Sequence, residues 1–534
     1  MVEFTGLLSR GMRKLQLFGR IKRLNQMIAA NSTPEDNQKP IIFFNASARL
    51  EGLNLNAAFG MISSWGVQLS GRKVVHFACK SGMSQCVLGA GLGDPKAPPP
   101  CQGCIQYTRL FTGAAKTAWF NYQEDSELRQ ILNGKSVKEL ETFSYQDRPL
   151  GTLVLPSLRW ILRRHNLLEN GLTHHLFSEY ILSAHNIAIK FSGIIKDLEP
   201  DTVVIFNGLQ YPEAVVRLIS QRQGIRVITH EVNLQPYSAF FTDGEATIYP
   251  MLIPGDFRLS DEQNQVLDSY LAKRFRGDFR MAGIKFWSKM DQLPEDFLSF
   301  ASNFKAVIPV FTNVIFDTSQ AYANTLFKDM FEWLDYVLKT AVQYPDTLFV
   351  IRAHPDEMRK GKSSQESVMG WAEKCGAAEI RNIKLIGPDE TLSSYELIQR
   401  SKLTMVYNSS IGLEATLLGA PVLCAGKARY TQYPTVFYPD SRVDYEDQLE
   451  SFLTADEIQV PEEYYEYARK FLYYQLYRTS LPFDEFLFEH PTPGYVQVKD
   501  LSWKDFRPGE SSVLDCVVSG IIDKSEFVLE SDIG

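Results

Sequence analysis

Thr347-Leu348-Phe349-Val350-Ile351-Arg352-Ala353-His354-Pro355, and the later run LTMVYNSSIGLEATLLGAPVL from Leu403 to Leu423, decide how the rest of this chain is read. The first begins with a short β-branched and aromatic run, the pattern of a buried strand, and Pro355 stops the ladder and fixes the turn that follows. In the second, the apolar segment Leu403 to Val406 gives way to Tyr407-Asn408-Ser409-Ser410. Ile411 to Leu418 then has helical spacing and ends at Gly419. Strand, hydroxyl-rich turn and helix together form an anion site, because the first N–H groups of the helix lack partners and its dipole favours negative charge there. In an open parallel sheet both loops lie beyond the carboxyl ends of the strands, where ligands bind. His354 and the serine pair are therefore expected to face one phosphate from two sides. The alternatives are a histidine that only caps its own loop and serines that only cap a helix.

Outside this stretch the chain has the same grammar. Pro40 to Phe44 is a strand, Leu53 to Leu69 a helix closed by Gly71, and Val74 to Ala78 a second strand, which makes a βαβ opening. Residues 105 to 199 read as mostly helical, and His165, His174, His175 and His185 there are packing or surface residues, with no Cys or carboxylate sharing their spacing. Thr202 to Phe206, the helix around Pro212 to Gln223 and Arg226 to Thr229 continue the alternation. The first sheet thus offers three strand exits, carrying Glu51, Asn207-Gly208 and His230-Glu231. Glu51 is the leading candidate for a catalytic base and Glu231 the second. For Glu51 the alternative is a charge complementing the next helix; Asn207 is a candidate to bind acceptor or donor sugar, with a turn residue before Gly208 as the alternative.

The motifs RxHP and YNSSxGLEAxLLGxPV, with the upstream Phe311-Thr312-Asn313-Val314-Ile315-Phe316-Asp317, resemble the capsule polysaccharide biosynthesis family. These are glycosyltransferases of the two-Rossmann-domain GT-B fold. The likeness spans 306 to 430 well and the N-terminal half only loosely. Related HP-type bacterial sialyltransferases and Kdo transferases hold the phosphate of a CMP-sugar with the HP histidine and the serine pair. The resemblance therefore assigns nucleotide-sugar binding to Asn313, Arg352, His354, Pro355, Ser409, Ser410, Gly412 and Glu414, with His354 also stabilising the departing phosphate. In such enzymes an acid at the position of Glu414 binds the ribose, although a helix-dipole partner is the other reading. Similar patterns occur in UDP-sugar epimerases and teichoic-type glycerophosphotransferases, and a catalytically inert GT-B scaffold would also keep the fold. The implied activity is transfer of a sugar from a CMP- or UDP-activated donor to a saccharide or lipid-linked acceptor in surface polysaccharide assembly. His354 and the serines can meet the charge of the leaving phosphate, so the transfer itself asks for no metal.

Composition sets the outer bounds. At 534 residues the chain is too long for one core and suggests two globular domains, which the resemblance implies are Rossmann-like α/β domains facing across a cleft. The expected divisions are a basic arm and linker at 1–39, a first domain at 40–295 with a Cys-rich insertion at 79–104, a second domain at 296–445, and a helical extension at 446–534. A net charge of −8 argues against a nucleic-acid partner. No apolar run reaches the roughly eighteen residues of a membrane span, and no secretory h-region is legible, so a cytoplasmic chain is expected. Arg10, Arg13, Lys14, Arg20, Lys22 and Arg23 alternate with Leu7, Leu8, Met12, Leu15, Leu17, Phe18, Ile21 and Leu24. That pattern suits a basic amphipathic helix, either lying on an anionic membrane at the inner face of the cell membrane or packed on the protein. Four of the seven cysteines, Cys79, Cys86, Cys101 and Cys104, fall in one loop-rich interval with C-x6-C-x14-C-x2-C spacing, which suits a tetrahedral structural zinc. An iron–sulfur cluster, a disulfide or plain thiols are the alternatives.

Overall fold

The computed structural model describes residues 2–35, 37–46, 52–87, 94–277, 291–359, 363–492 and 494–530, with the side chains of 2–13 and 45 left undescribed. The chain divides into two compact units, the first made of 1–161, 167–249 and 476–534, the second of 162–166 and 250–475. The sequence reading set its divisions at 39, 295 and 445. The first unit carries β1 (Ile41–Asn45), β2 (Leu53–Asn54), β3 (Val74–Cys79), β4 (Lys116–Phe120), β5 (Thr202–Phe206), β6 (Arg226–Val232) and β7 (Ser238–Thr242). The second carries β8 (Ala306–Phe311), β9 (Thr347–Arg352), β10 (Ile383–Ile386), β11 (Thr404–Val406) and β12 (Val422–Cys424). The chain then returns to the first unit for β13 (Leu481–Pro482), β14 (Leu487–Glu489) and β15 (Tyr495–Val498).

The first unit is a seven-stranded sheet in the order β13-β7-β6-β5-β1-β3-β4. Strands β4, β3, β1, β5 and β6 are parallel, and β7 and β13 add on antiparallel. Because β3 and β5 flank β1, the winding reverses there, and a crevice opens beyond the carboxyl ends of β1 and β5. One face of the sheet is covered by the helix Leu55–Leu69, whose cap Asn54 accepts a hydrogen bond from the Ala57 N–H (3.0 Å). Its Trp65 is fully buried and stacks edge-on against Phe506, with ring centres 5.2 Å apart. Gly66 lets the C-terminal helix Ser512–Ile522 approach closely, since a Cβ there would lie 2.8 Å from Val518 and 2.9 Å from Leu514.

The second unit is a fully parallel sheet in the order β10-β9-β8-β11-β12. Strand β9 is buried at every position, as its continuous apolar run requires. Its winding reverses between β8 and β11. Each unit is therefore a Rossmann-like α/β domain, which is the expected fold class.

Several features depart from expectation. The N-terminal helix Val2–Asn31 is a component of the core from its midpoint onward: Leu17, Ile21, Leu24 and Ile28 are buried. Asn25 is sealed beside them, donating to the Leu110 carbonyl (2.7 Å) and accepting from the Trp65 indole (3.1 Å). Alternating basic and apolar residues read alike for lipid and for protein, and packing decides for protein over this half. The expected helical extension is also corrected. After the helices Arg442–Thr454 and Glu462–Tyr473 in the second unit, the chain supplies three strands and a helix to the first. Strand β4 lies at a sheet edge and is mostly half-exposed, so it has no apolar run to announce it within the expected helical region.

Candidate functional site

At the exit of β9, Pro355 opens a 3-10 turn, Pro355–Met358, and His354 caps it. The ring Nδ1 of His354 accepts the Asp356 N–H at 3.1 Å. A neutral imidazole has one donor and one acceptor, so this bond puts the proton on Nε2. Burial lowers the pKa of the ring, the carboxylates of Asp356 and Asp317 oppose that shift, and Arg352 adds to it. The ring is therefore neutral at neutral pH and offers Nε2–H as a fixed donor. Capping and ligand binding, read from the sequence as alternatives, use different nitrogens and are compatible.

On β11, the neighbour of β8, the exit loop carries Asn408, Ser409 and Ser410. Asn408 Oδ1 accepts from Asn313 Nδ2 (2.8 Å), at the exit of β8, and from Gln320 Nε2 (3.0 Å). That pair of bonds ties the two exits across the strand-order reversal. Ser410 is exposed and N-caps the helix Ile411–Leu417 without a side-chain capping bond. Its hydroxyl is thus not spent as a plain cap. Ser409 is buried, and its carbonyl accepts from the Tyr430 hydroxyl (2.7 Å). The structure thus brings Asn313, His354, Pro355, Ser409 and Ser410 to the carboxyl ends of three adjacent strands. Sequence reasoning did not select Asn408, Gln320 or Asp317 as site residues. Asn408 and Asp317 stood inside the quoted motifs, but Gln320 had no signal.

Three other expected nucleotide ligands have different work. Arg352 is buried, its pKa pulled down to about 10 by desolvation, and donates to the backbone carbonyls of Leu392 and Glu390. It ties down a loop. Gly412 is buried where a Cβ would lie 2.3 Å from the Tyr430 hydroxyl, so packing demands the glycine. Glu414 is buried and pairs with Arg274 at 2.6 Å, while the Tyr395 hydroxyl donates to its other oxygen. Both oxygens of the buried carboxylate are engaged, so the structure gives Glu414 an ion-pair role within the fold beside the ribose contact expected from the sequence. Nearby, burial pushes the Glu357 carboxyl up to about 8, against the Val368 N–H that it accepts.

In the first unit, Glu51 lies outside the described residues. Glu231, at the end of β6, is half-buried, and the structure brings Asn207 to it: Asn207 Nδ2 donates to Glu231 Oε2 at 2.7 Å. Asn207 sits in the left-handed region (φ 58°), a conformation Asn tolerates, and its Oδ1 accepts the Leu209 N–H. The Val232 N–H (2.9 Å) and Asn56 Nδ2 (3.4 Å) donate to Oε1. The carboxylate is thereby held in one orientation. Beside it a pocket of about 600 Å³, its open mouth included, is lined by Phe43, Ala46, Asn56, Gly60, Phe206 and His230, among others. His230 is buried with its pKa down to about 3 from desolvation, and its Nδ1 has no hydrogen-bond partner.

The four clustered cysteines also come together, lining one smaller pocket of the first unit. Among the described residues, however, no group of three or more His, Cys, Asp or Glu side chains is already drawn into a metal-binding cluster.

Comparison with known proteins places these features. Residues 291–433 match the family model described as capsule polysaccharide biosynthesis protein. Protein FixF of Sinorhizobium fredii (strain NBRC 101917 / NGR234) is 27% identical over 237 residues, 43% of this chain and 49% of the relative. The chain thus spans about half the length of that curated relative. Among solved structures, Thermosulfurimonas dismutans KpsC, beta Kdo 2,4 transferase, overlays with a TM-score of 0.36 and 11% identity, covering 56% of this chain and 84% of that one. The UDP-GlcNAc 2-epimerase from Neisseria meningitidis bound to UDP-GlcNAc overlays with a TM-score of 0.23 and 13% identity, covering 82% and 98%. Overlays at these scores add nothing to what the two sheets already show. The family match does, because its span contains Asn313, His354, Ser409 and Ser410 together: over residues 291–433 this chain carries the sequence of the capsule polysaccharide biosynthesis family.

Proposed function

We propose that this chain is a glycosyltransferase of capsule or related surface polysaccharide biosynthesis, moving a sugar from a nucleotide-activated donor to a saccharide or lipid-linked acceptor. The observation that carries this reading is the hydrogen bond from the Asp356 N–H to His354 Nδ1, which leaves Nε2–H as a neutral, preset donor at the strand-order reversal of the second unit. Together with the Ser410 hydroxyl and the side-chain NH2 of Asn408, it suits the oxygens of a nucleotide phosphate. As the sugar's anomeric C–O bond breaks, its electrons pass to the phosphate, and donors already in place stabilise that charge without reorganisation. Glu231 is the base: its carboxylate takes the proton of the acceptor hydroxyl as that oxygen bonds to the anomeric carbon.

Among the described residues no helix is long and apolar enough to cross a membrane. For contact with an anionic membrane, where a lipid-linked acceptor would lie, the N-terminal helix keeps a basic face with Lys14, Lys22 and Arg23 exposed, while its apolar face is packed in the core.

The test is a thermal-shift comparison of CMP, UDP and CDP on the full chain. A rise in melting temperature with one of them, lost in His354→Ala, is expected. Turnover of that variant should fall by roughly 10²–10³-fold, as for a lost oxyanion donor. No shift with any nucleotide would overturn the reading in favour of an inert scaffold.

A further inference from the structure

We propose that Cys79, Cys86, Cys101 and Cys104 form a thiolate site for one zinc ion in the first unit. All four side chains line a single pocket, together with Ala46, Met83 and Pro100. They arrive there from three separate pieces of chain. Cys79 ends β3, Cys86 follows in the next loop, and Cys101 and Cys104 stand on the first turn of the helix Cys101–Phe111. At a spacing of three on a helix, the last two share a face, as two ligands of one ion must.

A further observation points to sulfur that is meant to carry charge. The turn after Cys79 passes through Ser81 in the left-handed region (φ 54°) and aims the Gly82 N–H at Cys79 Sγ, 3.1 Å away. That turn needs its glycine, since a Cβ on Gly82 would lie 2.2 Å from the Phe120 ring. An N–H donated to sulfur is the outer-shell support that a metal-bound thiolate uses. A divalent cation would take these thiols as thiolates, because a coordinating thiol is deprotonated outright. On binding, each thiol loses a proton to solvent and forms a Zn–S bond, with no change of oxidation state. Among the described residues no ready-made metal cluster is found, so the proposed site requires the four sulfurs to converge on the ion. Zinc, which has no ligand-field preference of its own, suits such a site.

Elemental analysis of the full chain should find roughly one zinc per molecule, and exchange into Co²⁺ should produce the strong sulfur-to-metal charge-transfer absorption of a tetrahedral thiolate site. Cys101→Ser combined with Cys104→Ser should lose both the metal and the absorption, and should melt at a lower temperature. Cys375→Ser, in the second unit, should keep all three properties. Since the double variant can fail by unfolding, the deciding measurement is on the unaltered chain. Absence of metal with no cobalt spectrum overturns the proposal, as does iron found with acid-labile sulfide.

Discussion

The two strand-order reversals of this molecule, one in each sheet, present different chemistry. In the first unit the reversal at β1 and β5 lies beside a carboxylate, Glu231, held by Asn207, Asn56 and the Val232 N–H. In the second, at β8 and β11, the nearest groups are donors: His354 Nε2–H, the Ser410 hydroxyl and the amide of Asn408, whose oxygen is occupied by Asn313 and Gln320. On the proposed reading, two sheets of similar winding divide the work, one accepting a proton and the other receiving an anion. The lesson is that fold alone does not say which end of a reaction a Rossmann-like unit serves; the polarity of its loop side chains does.

The largest expected effect tests that division directly. Glu231→Gln preserves the shape of the side chain and removes its basicity, so turnover should fall by roughly 10²–10⁴-fold, the range for a lost general base. Nucleotide-induced stabilisation should be unchanged. Parent-level turnover in the folded variant would remove Glu231 from the chemistry, and loss of nucleotide binding would put it on the wrong side of the division.

A second prediction sharpens the description of the donor unit. Arg274→Ala leaves Glu414 charged and buried without its ion-pair partner, which should cost about 3–5 kcal/mol and lower the melting temperature of the nucleotide-free chain. Were Glu414 a ribose ligand, Glu414→Ala would weaken nucleotide binding and leave the melting temperature of the nucleotide-free chain alone.

The last prediction concerns pH. Folding raises the Glu357 pKa to about 8 from the ordinary carboxylate range, so the folded state holds a proton that the unfolded chain has released. The resulting loss of stability is absent at low pH and grows as pH rises from that ordinary range to about 8. Glu357→Gln should therefore gain on the parent chain by up to about 1 kcal/mol per pH unit across this window, and by nothing further above it. A difference independent of pH would mean the carboxyl is ionised throughout.

Much of the candidate site was legible because its parts are contiguous: a strand, its exit and the next helix cap occupy single stretches at His354 and at Ser409-Ser410. What the sequence could not show depends on distant partners. Arg352 and Glu414 look like ligands in a local motif, but Leu392 and Arg274 claim them, and nothing near either residue announces those partners. The pairing of Asn207 with Glu231 joins two strand exits, and only the order of strands in the sheet brings them together. Both were already candidates one at a time. The strands β13 to β15 are short, and two of the three pair only with each other and with a two-residue strand, so no periodicity could reveal them.

The return of residues 476–534 to the first unit has a consequence for biosynthesis. Trp65 and the N-terminal helix leave the ribosome long before Phe506, Val513 and Val517, which share their core. The second unit is translated whole before them. Nascent chains are thus left for most of their synthesis with a half-covered β-sheet, a state that invites aggregation and chaperone capture. A stop codon after Gln475 would leave the entire second unit encoded and still deprive the first of part of its core.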